Sequence, residues 1–172
     1  MGVSYLIFGT SLGWVGVIGS PEGLRRLTLP QASPEQVWRV FDESSAKWRE
    51  PVLGEARGDY FGDLPDRIQD YLDGKKVSFA DKLDLARASS FQREVWQTTK
   101  SIPYAETRSY AWVAGEVGLP RAARAVGQAM ARNPLPMVIP CHRVVGSDGS
   151  LVGFGGGIEL KQRLLQLEAG AR

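Results

Sequence analysis

The stretch Asn133-Pro134-Leu135-Pro136-Met137-Val138-Ile139-Pro140-Cys141-His142-Arg143-Val144-Val145-Gly146 constrains this 172-residue chain more than any other. Met137 to Ile139 reads as a short buried segment, which Pro140 stops. Proline fixes its own backbone angle and pushes the residue before it towards extended geometry. Whatever fold the chain adopts must therefore bury that segment and present the residues after it with little further ordering. Those residues are the only cysteine and the only histidine of the chain, side by side. A lone cysteine is usually a small buried hydrophobe, and a lone histidine usually a hydrogen-bonded structural residue. Together they also suit nucleophilic chemistry, since a thiol attacks as thiolate and an imidazole is its usual base. Adjacency is not contact, because neighbouring side chains on an extended strand point to opposite faces. On chemistry alone both readings stand.

Pro140-Cys141-His142-Arg143-Val144, preceded by Asn133-Pro134-x-Pro136, resembles the active-site signature of the O6-alkylguanine-DNA alkyltransferases, the methylated-DNA–protein-cysteine methyltransferases. The resemblance runs from about Ser90 to Glu168, with a weaker echo in the first third of the chain. Related alkyltransferase-like proteins lack the cysteine, which this chain has.

The length suffices for one good core or two small domains. Hydrophobic content of 43% and charged content of 23% are those of a soluble globular protein. No apolar run is long enough to span a bilayer, and the N-terminus lacks a secretory pattern. A single cysteine excludes an intramolecular disulfide and fits a reducing compartment, so a cytoplasmic location is expected. The net charge of +2 decides nothing about nucleic acid; the placement of the charges does.

Along the chain, Val3 to Phe8 and Trp14 to Ile18 read as strands of a hairpin around Gly9 to Gly13, with Leu24 to Leu29 as a third strand. Ser33-Pro34-Glu35-Gln36 carries the marks of a helix start, followed by the apolar stripe Val37, Val40 and Phe41. Ser44 to Gly62 is expected to be loop, with room for a short strand. Leu64 to Leu72 reads as a second helix, with Ile68 and Leu72 on one face and Gly74 as its stop. Phe79 to Arg87 is a linker or an edge strand. The expected organisation is a supporting α/β domain at residues 1–87, a small antiparallel sheet with helices, and a mostly α domain at 88–172.

The second domain opens with a helix capped by Ser90 and carrying Phe91, Val95 and Trp96 as core. Its Phe-Gln-x-x-Val-Trp pattern is similar to the opening of the family's C-terminal domain. In the turn Pro103 to Thr107, Ala105 stands where the family usually has glycine. Ser109 to Glu116 and Arg121 to Ala131, separated by Val117-Gly118-Leu119-Pro120, make a helix-turn-helix. At roughly 100° per residue, Arg121, Arg124, Gln128 and Arg132 share one side of the second helix, and Val126 and Met130 the other. A solvated basic face explains the charges, but the many alanines and Gly127 leave the helix slim enough to approach a narrow groove. The resemblance implies that this helix enters the minor groove of double-stranded DNA carrying O6-alkylguanine. It further implies that Arg124 fills the place of the flipped base, and that Tyr110 rotates the phosphate and contacts the guanine. Flipping is required because a stacked guanine does not offer its O6 to a buried thiol.

Ile158 to Glu168 reads as a last helix with Leu160, Leu164 and Leu167 facing the core. Glu168 near its C-terminus is poorly placed for stability, since a negative charge there opposes the helix dipole. The resemblance assigns Glu168 to His142, giving the order Glu168, His142, water, Cys141. It assigns Asn133 to the turn before the site. Met130, Phe154, Gly155 and Val144, the last through its carbonyl, fall to the base pocket. No metal cluster or cofactor motif is present to regenerate the thiol. The expectation is a monomer that transfers one alkyl group to Cys141 and stops. A Cys-His hydrolase and a helix-turn-helix binding module are the alternatives.

Overall fold

Runs rich in β-branched and aromatic residues bring Val3–Thr10 (β1) and Gly13–Ser20 (β2) together, and Gly23–Leu27 (β3) joins them as the third consecutive antiparallel strand. The architecture is that of a computed structural model describing residues 2–48 and 54–170. The β1–β2 turn is tighter than the expected loop, because Thr10 pairs with Gly13 across Ser11 and Leu12. The Thr10 hydroxyl closes it by donating to the Gly13 carbonyl at 2.6 Å. Helix α1 (Pro34–Trp48) starts where Ser33 accepts from the Gln36 N–H, and Val37 and Phe41 pack with Ile18. A Cβ at Gly16 would run into Val37 and Phe41, so glycine is what lets α1 close on β2.

One expectation is corrected here. The helix continues to Trp48, through residues expected to be loop, and Gly54–Ala56 (β4) then pairs with β1 in parallel. The sheet order is therefore β3-β2-β1-β4, three antiparallel strands with a parallel fourth reached through a helical crossover. Leu64–Leu72 (α2) has the expected bounds, burying Leu64, Ile68, Tyr71 and Leu72, and Gly74 follows at φ +89°. Residues 79–87 contain one bridge rather than a strand: Leu83 pairs with Leu24, and Asp84 accepts from Ser20 Oγ and from Arg25.

The chain divides into two compact units, Met1–Arg87 and Ala88–Arg172. The second opens with α3 (Ser90–Lys100), whose cap is Ser89 rather than Ser90. Gln92 decides this, since a capping box needs the amide three residues after the cap, and the reciprocal pair contributes about 1 kcal/mol. Trp96 is fully buried, while Phe91 is only partly so. Helices α4 (Tyr110–Glu116) and α5 (Ala123–Ala131) are joined by a turn in which Gly118 adopts φ +77°. The Trp96 indole N–H donates to the Ala129 carbonyl at 3.0 Å, tying the last turn of α5 to α3. Two-residue strands, Arg108–Ser109 (β5) and Val144–Val145 (β6), pair in parallel, and α6 (Ile158–Ala169) ends the domain.

Candidate active site

Asn133 pins the prolines of the signature segment into one turn. Its Oδ1 accepts from the Leu135 N–H at 2.9 Å, and its Nδ2 donates to the Ile139 carbonyl at 2.8 Å. Met137 inside that turn sits at φ +73° and is buried. Leu135, Met137, Val138 and Ile139 fill the core beneath, as a buried apolar run must. Pro140 leads into a single 3-10 turn, Cys141–Arg143, which carries both reactive candidates.

Cys141 is buried at 7% exposure, yet it reaches a cavity of about 600 Å³. Burial pushes the thiol pKa up, while the Asn133 side chain, the Lys161 ammonium and local backbone amides pull against it. The resting thiol is therefore protonated and needs a base. His142 is fully buried, and its Nε2 lies 2.7 Å from Glu168 Oε1. Burial holds the imidazole below its ordinary pKa, so the ring is neutral. Glu168 goes the other way. Burial opposes its ionisation, but hydrogen bonds from His142 and Arg143 outweigh that, and its pKa sits at about 2. An ionised carboxylate only accepts, so Nε2 carries the ring proton and Nδ1 the lone pair.

Further donors converge on Glu168. Arg143 Nε donates to both oxygens (3.1 and 3.0 Å), Arg143 Nη2 to Oε1 at 2.8 Å, and the Ala105 N–H to Oε2 at 3.2 Å. Ala105 reaches this position only at φ +64°, a left-handed conformation that explains glycine as the usual occupant of such a turn. Arg143 belongs to the signature, but sequence reasoning gave it no part in the site.

Lys161 was missed altogether. The buried stripe of α6 is Lys161, Leu164 and Glu168, whereas Leu160 and Leu167 lie at its edges. The lysine is wholly buried. Its Nζ donates to the carbonyls of Val144 (2.6 Å) and Val152 (3.1 Å) and meets the Tyr110 hydroxyl at 3.4 Å. Its spacing of three and seven residues from Leu164 and Glu168 was the available signal.

The cavity wall contains Tyr110, Arg124, Met130, Phe154 and Gly155, with Ala123, Gly127 and Ala131 from α5. Val144 is not part of the wall, and its carbonyl accepts from Lys161. Tyr110 donates its hydroxyl proton to the Val152 carbonyl at 2.9 Å. Arg121, Arg124, Gln128 and Arg132 are exposed together, opposite the buried Val126, Ala129 and Met130. Arg121 and Arg132 stand just beyond the helix ends rather than within α5. Among the described residues no helix is long and apolar enough to cross a membrane.

The site thus joins a helix-turn-helix, whose second helix walls the cavity, to a buried free cysteine at the cavity's end. Residues 90–170 match the family described as 6-O-methylguanine DNA methyltransferase, DNA binding domain. The methylated-DNA–protein-cysteine methyltransferase of Mycolicibacterium paratuberculosis is 42% identical over 156 residues, covering 88% of this chain and 89% of its own. A crystal structure of Mycobacterium tuberculosis OGT in complex with DNA superposes with a TM-score of 0.79 at 36% identity, covering 98% of this chain and 94% of that one. An O6-methylguanine-DNA methyltransferase from the archaeon Pyrococcus kodakaraensis gives 0.74 at 27% identity, covering 96% of this chain and 98% of that one. The chain belongs to the methylated-DNA–protein-cysteine methyltransferase family, and its two-domain fold is the one those structures share.

Proposed function

We propose that this protein repairs DNA by taking the alkyl group from O6 of a flipped guanine onto Cys141, once per molecule. The observation that carries this reading is the cavity running from the Cys141 thiol to Arg124 on the exposed basic face of the helix-turn-helix. His142, neutral and held by Glu168, takes the thiol proton at Nδ1 through an intervening water. The thiolate attacks the alkyl carbon. The S–C bond forms as the C–O6 bond breaks, the electron pair leaves with guanine, and guanine regains a proton from solvent. Burial lowers the Lys161 pKa, but the Cys141 thiolate opposes that shift, and the ammonium in turn favours the thiolate.

Arg124 occupies the stack vacated by the base, while Arg121, Gln128 and Arg132 hold the backbone and groove. Tyr110, Met130 and Phe154 enclose the base, with the Gly155 amide as a polar contact. Asn133 keeps the turn in place. Residues 1–87 act as support, and the protein works as a cytoplasmic monomer on duplex DNA. Intact mass after incubation with a duplex containing O6-methylguanine tests the reading. A single added methylene on the peptide carrying Cys141, absent from Cys141→Ser, is expected; an unmodified protein contradicts it.

A further inference from the structure

Arg143 concentrates its guanidinium on one carboxylate. Nε and Nη2 grip Glu168, Nη1 donates to the Ile102 carbonyl at 2.8 Å, and the Tyr104 ring lies 5.4 Å from Cζ. The Glu168 side chain is completely buried. A buried carboxylate facing only an imidazole draws a proton onto the ring, because a paired charge in the interior is far less costly than a lone one. An imidazolium cannot accept the thiol proton. A guanidinium is always charged, so it can neutralise the carboxylate without lending it a proton.

We propose that Arg143 is a positioning residue for alkyl transfer: it fixes and neutralises Glu168, so that His142 stays uncharged and offers Nδ1 to the thiol. The inference rests on the cysteine-transfer reading above. The charged and titratable groups around the ring are Glu168 and Lys161 of α6, Cys141 and Arg143 of its own turn, and the Tyr104 phenol beside Arg143. Glu168 favours the charged ring; Arg143 and Lys161 oppose it. Removing Arg143 leaves Lys161 as the sole opposing cation of that group and shifts the balance towards imidazolium.

Because the chain has one histidine, nitrogen NMR of histidine-labelled protein reads a single imidazole. The wild type should show the Nε2–H tautomer, titrating below the ordinary value near 6.5. In Arg143→Gln the midpoint should rise by about one pH unit or more, the size of shift a nearby charge produces. The acid limb of single-turnover transfer from free O6-benzylguanine should move with it. Arg143→Lys keeps the charge but loses the fork, so the midpoint should stay low while transfer slows across the whole pH range. An unchanged midpoint and limb in Arg143→Gln overturn the proposal. If that variant does not fold, a wild-type transfer rate in Arg143→Lys overturns it. A wild-type protein that titrates as described but transfers nothing would instead sink the cysteine-transfer reading.

Discussion

Glu168 is the residue on which the site's electrostatics turn. Its pKa of about 2 lies below the unfolded carboxylate range, so its ionised partnership stabilises the fold fully above that range and is lost as pH falls towards 2. His142 acts in the same direction. Its pKa is lowered in the fold, so below about 6.5 the unfolded chain takes up a proton that the folded one refuses. Glu168→Gln should remove the lower acid-sensitive step from urea midpoints measured between pH 6 and pH 3 and, by freeing the orientation and tautomer of His142, slow single-turnover transfer about a hundredfold, the low end of what a positioned base contributes. Unchanged values would make Glu168 a bystander. Ala105 makes a separate, purely conformational prediction. A left-handed alanine is strained by about 1–2 kcal/mol, part of which glycine returns through greater freedom in the unfolded chain. Ala105→Gly should therefore stabilise by about 0.5–1 kcal/mol, seen as a rise in Tm, with transfer unaltered.

At the scale of elements, the legible parts were those with a strong period or punctuation. α2 runs as expected from its apolar face to Gly74, and the α1 start follows from Ser33 and Gln36. β5 and β6 escaped because two residues carry no period and their pairing joins positions far apart in sequence. Lys161 escaped because a lysine is normally read as solvated, whereas this one spends its charge on carbonyl oxygens inside the domain. The resemblance, rather than any local pattern, was needed to join Glu168 to His142. On α5 the shared exposure of Arg124 and Gln128 followed from spacing alone, and Arg121 and Arg132 are exposed just beyond the helix ends. Their roles separate by experiment. Arg121→Ala and Arg132→Ala should weaken binding to any duplex and lower its salt dependence. Arg124→Ala should cut transfer from duplex DNA strongly while leaving free O6-benzylguanine nearly untouched, since a free base needs no extrusion. Equal losses on both substrates would mean that Arg124 supports the cavity instead.

Across the whole molecule the charges are unevenly divided. Residues 88–172 carry ten Lys and Arg against six Asp and Glu, and residues 1–87 carry eleven against thirteen. The modest net charge of +2 thus conceals a basic C-terminal unit, which is where the helix-turn-helix and the cavity lie. That distribution favours a polyanion on the second unit. The central claim is chemical, however: the thiol is a reactant that is consumed. The most direct test incubates a known amount of protein with a large excess of duplex containing O6-methylguanine and follows the O6-methylguanine converted to guanine within the DNA over time. The expected course is a single burst that plateaus at one equivalent per Cys141, with no further conversion on longer incubation. Continued conversion beyond one equivalent would contradict the account and make the protein a catalyst that turns over.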